Sequence, residues 1–167
     1  MALHEDMEKI AAQEGELRLP RFDAQIAWEL GARLRDMAAE RDYKLAIDVR
    51  RIGQPLFYAA FDGTTPDSAE WVRRKSNVVA RFHRSSYAVG MTLHLKTTTL
   101  VERYGLPVAD YAADGGAFPL FVKNAGFVGS VTVSGLSQRD DHNLVVEALC
   151  AHLGRDFAAL RLGPEGA

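Results

Sequence analysis

Two strand–turn–strand patterns, separated by a helical segment, constrain the fold of this chain more than any other feature. In the first, residues 45–50 and 55–61, which are mostly apolar, flank a turn at Gly53-Gln54. In the second, residues 120–122 and 127–133 flank a turn at residues 123–126. Strands joined by turns this short run antiparallel. The sequence therefore predicts two β-hairpins.

Helical patterns surround both hairpins. Apolar residues recur at helical spacing in residues 3–13 and again in residues 26–38, where Asp23 is a suitable N-cap. A long helix is predicted at about 69–89. A last helix is predicted after Ser137, the first residue of a capping-box pattern. The element order predicts an α+β domain with an antiparallel sheet.

The segment between the long helix and the second hairpin is the least legible. Leu93, Leu95 and residues 97–99 could form a short strand or an extended linker, and residues 100–104 one helical turn. Disorder is predicted for the tail at residues 163–167, which is rich in glycine. Gly129, inside a strand, indicates a bulge or the close approach of a ligand or another backbone.

The net charge, the apolar runs and the cysteine count exclude several classes of function for this chain. A net charge of -2 argues against nucleic-acid binding, and the sequence has neither a membrane-length apolar run nor a secretory pattern. We therefore expect a soluble, cytoplasmic protein with no membrane or nucleic-acid partner. The single cysteine, Cys150, excludes an intrachain disulfide and a cysteine-based zinc cage, and its apolar neighbours predict a buried thiol.

The second half of the chain resembles the haem-degrading HbpS-like and GlcG-like family. The resemblance is carried by residues 115–120, by residues 126–135 ending in Ser134-Gly135, and by Asp140-Asp141-His142. Residues 62–67, with Trp71 and the basic pairs that follow, resemble a branch of small cytosolic proteins without an assigned activity. The match spans roughly residues 48–149.

The resemblance implies a profilin-like architecture, with a central antiparallel sheet flanked by helices. It also implies a single HbpS-like domain over residues 1–167, in which the first helix (about 1–14) is peripheral and residues 155–167 form a tail. A homo-oligomer and haem binding are further implications of the family. The family haem site does not transfer residue by residue, because no shared ligand motif is present here.

The five histidines are the first candidates for haem iron, but none occurs in a metal-binding pattern. His83 lies among arginines and is expected in solvent. His142 is expected to have a structural role at the start of the last helix, and His152 lies on an apolar helix face. No metal site is predicted.

The basic residues of the long helix are the main binding candidates. Arg74, Lys75 and Arg81 are the expected anchors, with Trp71 as an aromatic wall. One interpretation is a solvated or inter-subunit face that also includes Arg73 and Arg84. The other is an anion site, in which guanidinium groups hold a carboxylate or phosphate.

Four further residues complete the candidate site. Gly115 and Gly116 could hold an anion through their backbone amides or simply form tight turns. Asp48 and Arg50 point to the same side of a strand, where they form either a surface pair or part of a cavity.

These patterns favour a small-molecule binding domain whose ligand is haem or an anionic metabolite. Its pocket is expected between the long helix and residues 115–119. The alternative is an oligomeric adaptor that binds a partner through the basic helix. Catalysis of haem breakdown is a third, weaker hypothesis, because the sequence contains no catalytic constellation.

Overall fold

The fold is built around one antiparallel sheet with helices on both faces. The computed structural model describes residues 2–165. The elements are α1 (Ala2–Glu16), α2 (Ala24–Glu40), β1 (Ala46–Arg51), β2 (Gln54–Ala60), α3 (Pro66–Phe82), α4 (Ser86–Leu95), α5 (Leu100–Tyr104), β3 (Ala117–Val122), β4 (Gly126–Ser134), α6 (Gln138–Leu153) and α7 (Phe157–Leu160). The strand order is β2-β1-β4-β3 with every pair antiparallel. Both predicted hairpins and the profilin-like α+β class are confirmed.

One face of the sheet carries the main apolar core. Alternate residues of the two central strands, such as Ile47 and Val49 on β1 and Val131 and Val133 on β4, are buried in a single cluster. Helices α2 and α6 pack on this face. Asp23 begins α2 as predicted, since its carboxylate accepts a hydrogen bond from the amide of Ile26.

The opposite face of the sheet is polar. The residues between the core positions include Asp48 and Arg50 on β1 and Ser130 and Thr132 on β4. Helix α3 packs across β4, β3 and β1. Both sides of the central strands are largely buried although only one side is apolar, so apolar and polar residues do not alternate strictly along β1 and β4.

The predicted long helix at 69–89 is in fact two helices. His83 adopts a left-handed backbone conformation (φ 55°) that ends α3, and the Ser85 side chain caps α4 by accepting from the amide of Ala88. Helix α4 then continues to Leu95. The strand or linker predicted for residues 93–99 is therefore wrong for Leu93 and Leu95, which are helical. Most of α4 is buried, so its sequence is apolar around the axis and lacks an amphipathic period. The single turn at α5 is confirmed.

The two ends of the described chain pack together. Ile10 on α1 is fully buried and contacts the same cluster as Leu162, which follows α7. Arg139 on α6 joins them, because its guanidinium binds both carboxylate oxygens of Asp6 and donates to the carbonyl of Gly163. Of the tail predicted to be disordered, Gly163 therefore has a defined contact, and residues 166–167 lie outside the described residues.

The predicted close approach at Gly129 is confirmed and gives a test of the sheet. A Cβ atom at Gly129 would lie 2.0 Å from the carbonyl oxygen of Arg50 on the neighbouring strand. We expect Gly129→Ala to lower the free energy of unfolding by about 1–3 kcal/mol, because the backbone has to move. Gly15→Ala, where no atom lies within 4 Å, should be neutral or stabilising by about 0.5–1 kcal/mol. Urea unfolding compares them, and equal stability of the two variants would contradict this packing.

Candidate functional site

A buried ion pair lies where α3, β4 and α6 meet. Lys75, in the middle of α3, is only 3% exposed. Its Nζ atom donates to Asp141 Oδ2 at 3.1 Å and to the carbonyl oxygen of Val133 at 3.2 Å. Asp141, in the first turn of α6, is almost completely buried as well. The pair therefore joins two helices on opposite sides of the sheet end.

The Asp141 carboxylate is held by the backbone of the loop that follows β4. Oδ1 accepts from the amide of Leu136 at 2.9 Å, and Oδ2 accepts from the amide of Gly135 at 3.3 Å. Burial raises the pKa of Asp141 to about 6, although Lys75 and the two amides favour the charged form. The carboxylate is thus fixed in position but close to protonation at neutral pH.

Two glycines allow the ion pair to approach the sheet. A Cβ atom at Gly116 would lie 2.8 Å from Lys75 Nζ and 2.3 Å from the carbonyl oxygen of Val133, and its φ of 137° also favours glycine. A Cβ atom at Gly115 would lie 2.3 Å from the carbonyl oxygen of Gln138. Gly115 instead donates its amide to Gln138 Oε1 at 3.1 Å. Both glycines are thus positions of close packing beside the ion pair.

The ion pair forms the floor of an open pocket of about 310 Å³, which we call the Lys75 pocket. It is lined by Ser68, Trp71, Lys75, Asp114, Ser134, Gly135, Leu136, Gln138 and Asp141. An ammonium group has three N–H donors. Within residues 2–165, two acceptors are found for Lys75 Nζ. The third donor has no acceptor among these residues.

Trp71 lines this pocket, and Arg74, outside the lining, stacks on the Trp71 ring. The guanidinium carbon of Arg74 lies 4.6 Å from the centre of the Trp71 ring, and Arg74 Nε donates to the carbonyl of Val108 at 2.9 Å. Arg74 therefore contacts the pocket only indirectly, through the Trp71 ring, and the loop after α5 holds it in place. A cation–π pair of this kind is worth about 0.5–1 kcal/mol at an exposed position.

The other basic residues do not form one continuous surface with this pair. Arg73 is neutralised by Glu70 and Asp110. Arg81 is exposed and lies seven residues beyond Arg74, about 10 Å further along the helix. Arg84 follows the end of α3. The helix break and these pairings divide the expected basic face, so Arg74 and Lys75 lie together while Arg81 lies apart.

Asp48 and Arg50 form a separate ion pair on the polar face of the sheet. Arg50 Nε and Nη2 donate to the two carboxylate oxygens of Asp48 at 2.7 and 2.8 Å. Asp48 is almost fully buried and lies in register with Tyr58 on β2 and Thr132 on β4. The two residues share a face, as expected, but neither lines the Lys75 pocket.

The sequence did not single out the acidic half of the site. Asp141 belongs to the Asp140-Asp141-His142 motif that carries the family resemblance, but neither it nor Asp114, Ser134 or Gln138 was predicted as a ligand contact. One signal was present: Asp141 follows a strand end and a Ser-Gly loop, where loop amides can hold a carboxylate. Its pairing with Lys75 joins residues 66 apart, and spacing along the chain does not reveal such a contact.

A second pocket of about 430 Å³ lies on the other side of Asp114 and Gln138, which line both pockets. Its other lining residues include Tyr87, Met91 and His94 on α4 and Arg139 on α6. Arg139 is already bound to Asp6. This pocket is closed on one side by α1.

Two other histidines and the cysteine have structural roles or lie in solvent. His142 is fully buried, its Nε2 pairs with Gln13 at 2.8 Å, and burial lowers its pKa to about 3, so the ring is neutral at neutral pH. His83 is exposed and stacks on Phe127. Burial raises the pKa of the Cys150 thiol to about 11, which disfavours the nucleophilic thiolate. In the described part of the chain, no three potential ligand side chains are grouped to hold a metal ion.

The chain belongs to the family described as haem-degrading protein HbpS-like, whose model matches residues 22–150. The matched region therefore includes α2, which precedes the segment at about residues 48–149 that carries the resemblance in the sequence. Among individual relatives, a UPF0303 protein from Paraburkholderia phymatum is 58% identical over 97% of this chain and 98% of its own length. Another from Acidobacterium capsulatum is 59% identical with the same coverage.

Solved structures support the fold. The Ybr137w protein is similar to this chain with a TM-score of 0.82 and 27% identity, covering 89% of this chain and 87% of that one. HbpS has a TM-score of 0.64 at 21% identity, covering 84% and 96%. A PduOC:heme complex has a TM-score of 0.64 at 14% identity, covering 74% and 88%. In the part of the chain that is described, no helix has the length and apolarity needed to span a membrane.

The raised pKa of Asp141 predicts a specific pH dependence of stability. The ordinary value is 3.8 and the folded value about 6, so between these pH values the folded protein retains a proton that the unfolded chain has released. The free energy of unfolding should therefore fall as pH rises from about 4 to 6, by on the order of 1–3 kcal/mol.

The Asp141→Asn variant tests this assignment. Its stability should lack this fall relative to the wild type, whereas Asp140→Asn, changed at the exposed neighbour, should retain it. Urea unfolding at several pH values measures both. A wild-type slope retained in Asp141→Asn would assign the titration to another group.

Proposed function

We propose that this protein is a small-molecule binding domain and that its ligand carries a carboxylate that binds in the Lys75 pocket. The observation that carries the proposal is the free donor of a buried ammonium group at the floor of an open pocket. A carboxylate oxygen placed there accepts a charge-assisted hydrogen bond, which is stronger than a neutral one.

The cost of burying Lys75 supports a binding role. A buried ion pair is weak evidence for stability, because taking both charges out of water opposes their attraction. Lys75 and Asp141 are nevertheless buried beside a pocket, with two loop amides holding the carboxylate. Perturbed, specifically paired groups in a cleft are typical of functional sites.

Asp141 partly neutralises the charge of Lys75, and this limits the affinity that we expect for an anionic ligand. The ligand meets an ammonium group whose charge is already shared with Asp141, so electrostatic attraction alone is modest. Trp71 supplies an apolar wall beside it, which favours a ligand with a flat or apolar body as well as a carboxylate.

Haem fits this pocket only in part. Its propionates are carboxylates and match Lys75. The lining residues, however, include no histidine, cysteine, methionine or tyrosine, the usual axial ligands of haem iron. The family description and the haem complex of a structural neighbour make haem a required test compound. The residues favour an organic acid without iron, and no step of haem breakdown is derived from them.

We also infer a homo-oligomer, as the family resemblance implies, and the cytoplasmic location stays a prediction. The alternative of an adaptor acting through the basic helix has less support from the charges. Arg73 is paired, Lys75 is buried, and Arg84 lies outside α3.

Ligand binding is tested by thermal shift and calorimetry with hemin, aromatic carboxylates, aliphatic carboxylates and inorganic phosphate. We expect a saturable response to a carboxylate with an apolar body. In the double variant Lys75→Met/Asp141→Asn, both charges are removed together, so neither is left buried alone. Its affinity for that compound should fall roughly tenfold or more.

Two arginines on the same helix provide a matched pair for this experiment. Arg74→Ala removes the group stacked on Trp71 and should weaken binding about two- to fivefold. Arg81→Ala changes an exposed arginine outside the pocket and should bind as the wild type does. No saturable binding of any carboxylate, or equal binding by the double variant, would refute the proposal. Capture of a specific protein partner without any ligand response would favour the adaptor.

A further inference from the structure

We propose that two copies of this chain pair through the free edge of β2, so that their sheets join into one antiparallel sheet of eight strands. This inference rests on the proposed homo-oligomer and specifies its interface. The second copy is related by a two-fold axis that passes beside Ala59, so that Tyr58 of each copy lies opposite Ala60 of the other.

The two edges of the sheet differ. The edge at β3 is closed, because Leu19 exchanges backbone hydrogen bonds with Phe121 and Lys123. Within residues 2–165, no segment pairs with the outer edge of β2. An unpaired edge strand is a template for pairing with another chain.

The ladder identifies which backbone groups face outward. The amide of Phe61 donates to the carbonyl of Leu45, so this residue pair is the hydrogen-bonded kind. Hydrogen-bonded pairs alternate along an antiparallel ladder. Tyr58 and Ala60 therefore direct their N–H and C=O groups away from β1, toward the open edge.

The β2 strand lacks the charged residues that usually protect an edge. Residues 54–60 include no lysine, arginine, aspartate or glutamate. Pro55 pairs with Arg50 and Phe57 with Val49, so Leu56 is the extra residue of a bulge and the regular ladder begins at Phe57. The regular residues, Phe57 to Ala60, span about 14 Å, and the outward N–H and C=O groups of Tyr58 and Ala60 are available to a second strand.

The ends of this strand have opposite charges. Arg51 lies beside the hairpin turn before β2, and Asp62 follows β2 at its other end. Both are exposed, and neither has an ion-pair partner among the described residues. A two-fold antiparallel arrangement brings the Arg51 end of each copy to the Asp62 end of the other. A second copy is therefore electrostatically complementary to this edge.

Exposed apolar side chains lie near the edge on both faces of the sheet. Trp28 on α2 is 60% exposed and packs edge-on against Phe57, and Tyr58, 47% exposed, lies on the polar face. Because the proposed axis is perpendicular to the sheet, Trp28 of each copy lies on one side of it. Tyr58 of each copy lies on the other side. Pairing of the strands covers these side chains together with the free backbone groups.

Light scattering after size exclusion tests the interface with the full-length chain. Ala60→Pro removes an outward N–H without removing a bond to β1, and Tyr58→Lys places two positive charges near the axis. Both variants should elute at a lower mass than the wild type at equal concentration. Val101→Lys is the matched control, since Val101 has the same 47% exposure but lies on α5. It should keep the wild-type mass. Circular dichroism confirms that each variant is folded.

The outcomes separate the interface from the oligomer itself. Folded edge variants that keep the wild-type mass would overturn the β2 interface while leaving the homo-oligomer intact. A wild-type protein that elutes near its monomer mass of 18.4 kDa at micromolar concentration would overturn both. Dissociation caused by Val101→Lys would move the interface to α5.

Discussion

The buried ion pair between Lys75 and Asp141 is the interaction on which the proposed site depends. It connects α3, which packs on the polar face of the sheet, to α6, which packs on the apolar face. Its formation requires a glycine at position 116 and a loop at residues 135–136 whose amides point at the carboxylate. The end of β4, the loop at residues 135–136 and the helices α3 and α6 are therefore connected through this ion pair. The Lys75 pocket lies directly over the pair.

The polar face of the sheet explains why this chain can combine a stable core with an open site. The apolar face has Ile47, Val49, Val131 and Val133 in contact with α2 and α6, and it supplies most of the hydrophobic burial. The opposite face needs polar partners instead. Asp48 is satisfied by Arg50 on the same strand, and at the other end of that face Lys75 reaches Asp141. Stability and binding thus reside mainly on different faces.

Local patterns were sufficient to predict most of the fold. Both hairpins, the cap of α2 at Asp23 and the turn at α5 follow from alternation, turn residues and capping chemistry, which act over a few residues. The division of α3 from α4 was missed, because it depends on a left-handed backbone at His83, a conformation that is uncommon for any residue other than glycine. Helix α4 was missed because buried helices lose their amphipathic period.

The site could be predicted only in part for a similar reason. Lys75 and Trp71 were found because a cluster of basic residues on one helix is visible in the sequence. Asp141 and Arg81 required tertiary information: the first is brought to Lys75 from α6, and the second is separated from the pocket by the length of the helix. Pairing of charges across the fold decides which basic residues remain available, and that pairing is not encoded in local spacing.

The most direct measurement of the central claim is the NMR signal of the Lys75 ammonium group, assigned with a Lys75→Arg variant, during titration with a carboxylate that stabilises the protein. Binding in the Lys75 pocket predicts that the Nζ resonance shifts and saturates at the affinity measured by calorimetry. A ligand that saturates the protein while the Lys75 resonance stays unchanged would contradict the account and place binding elsewhere on the molecule.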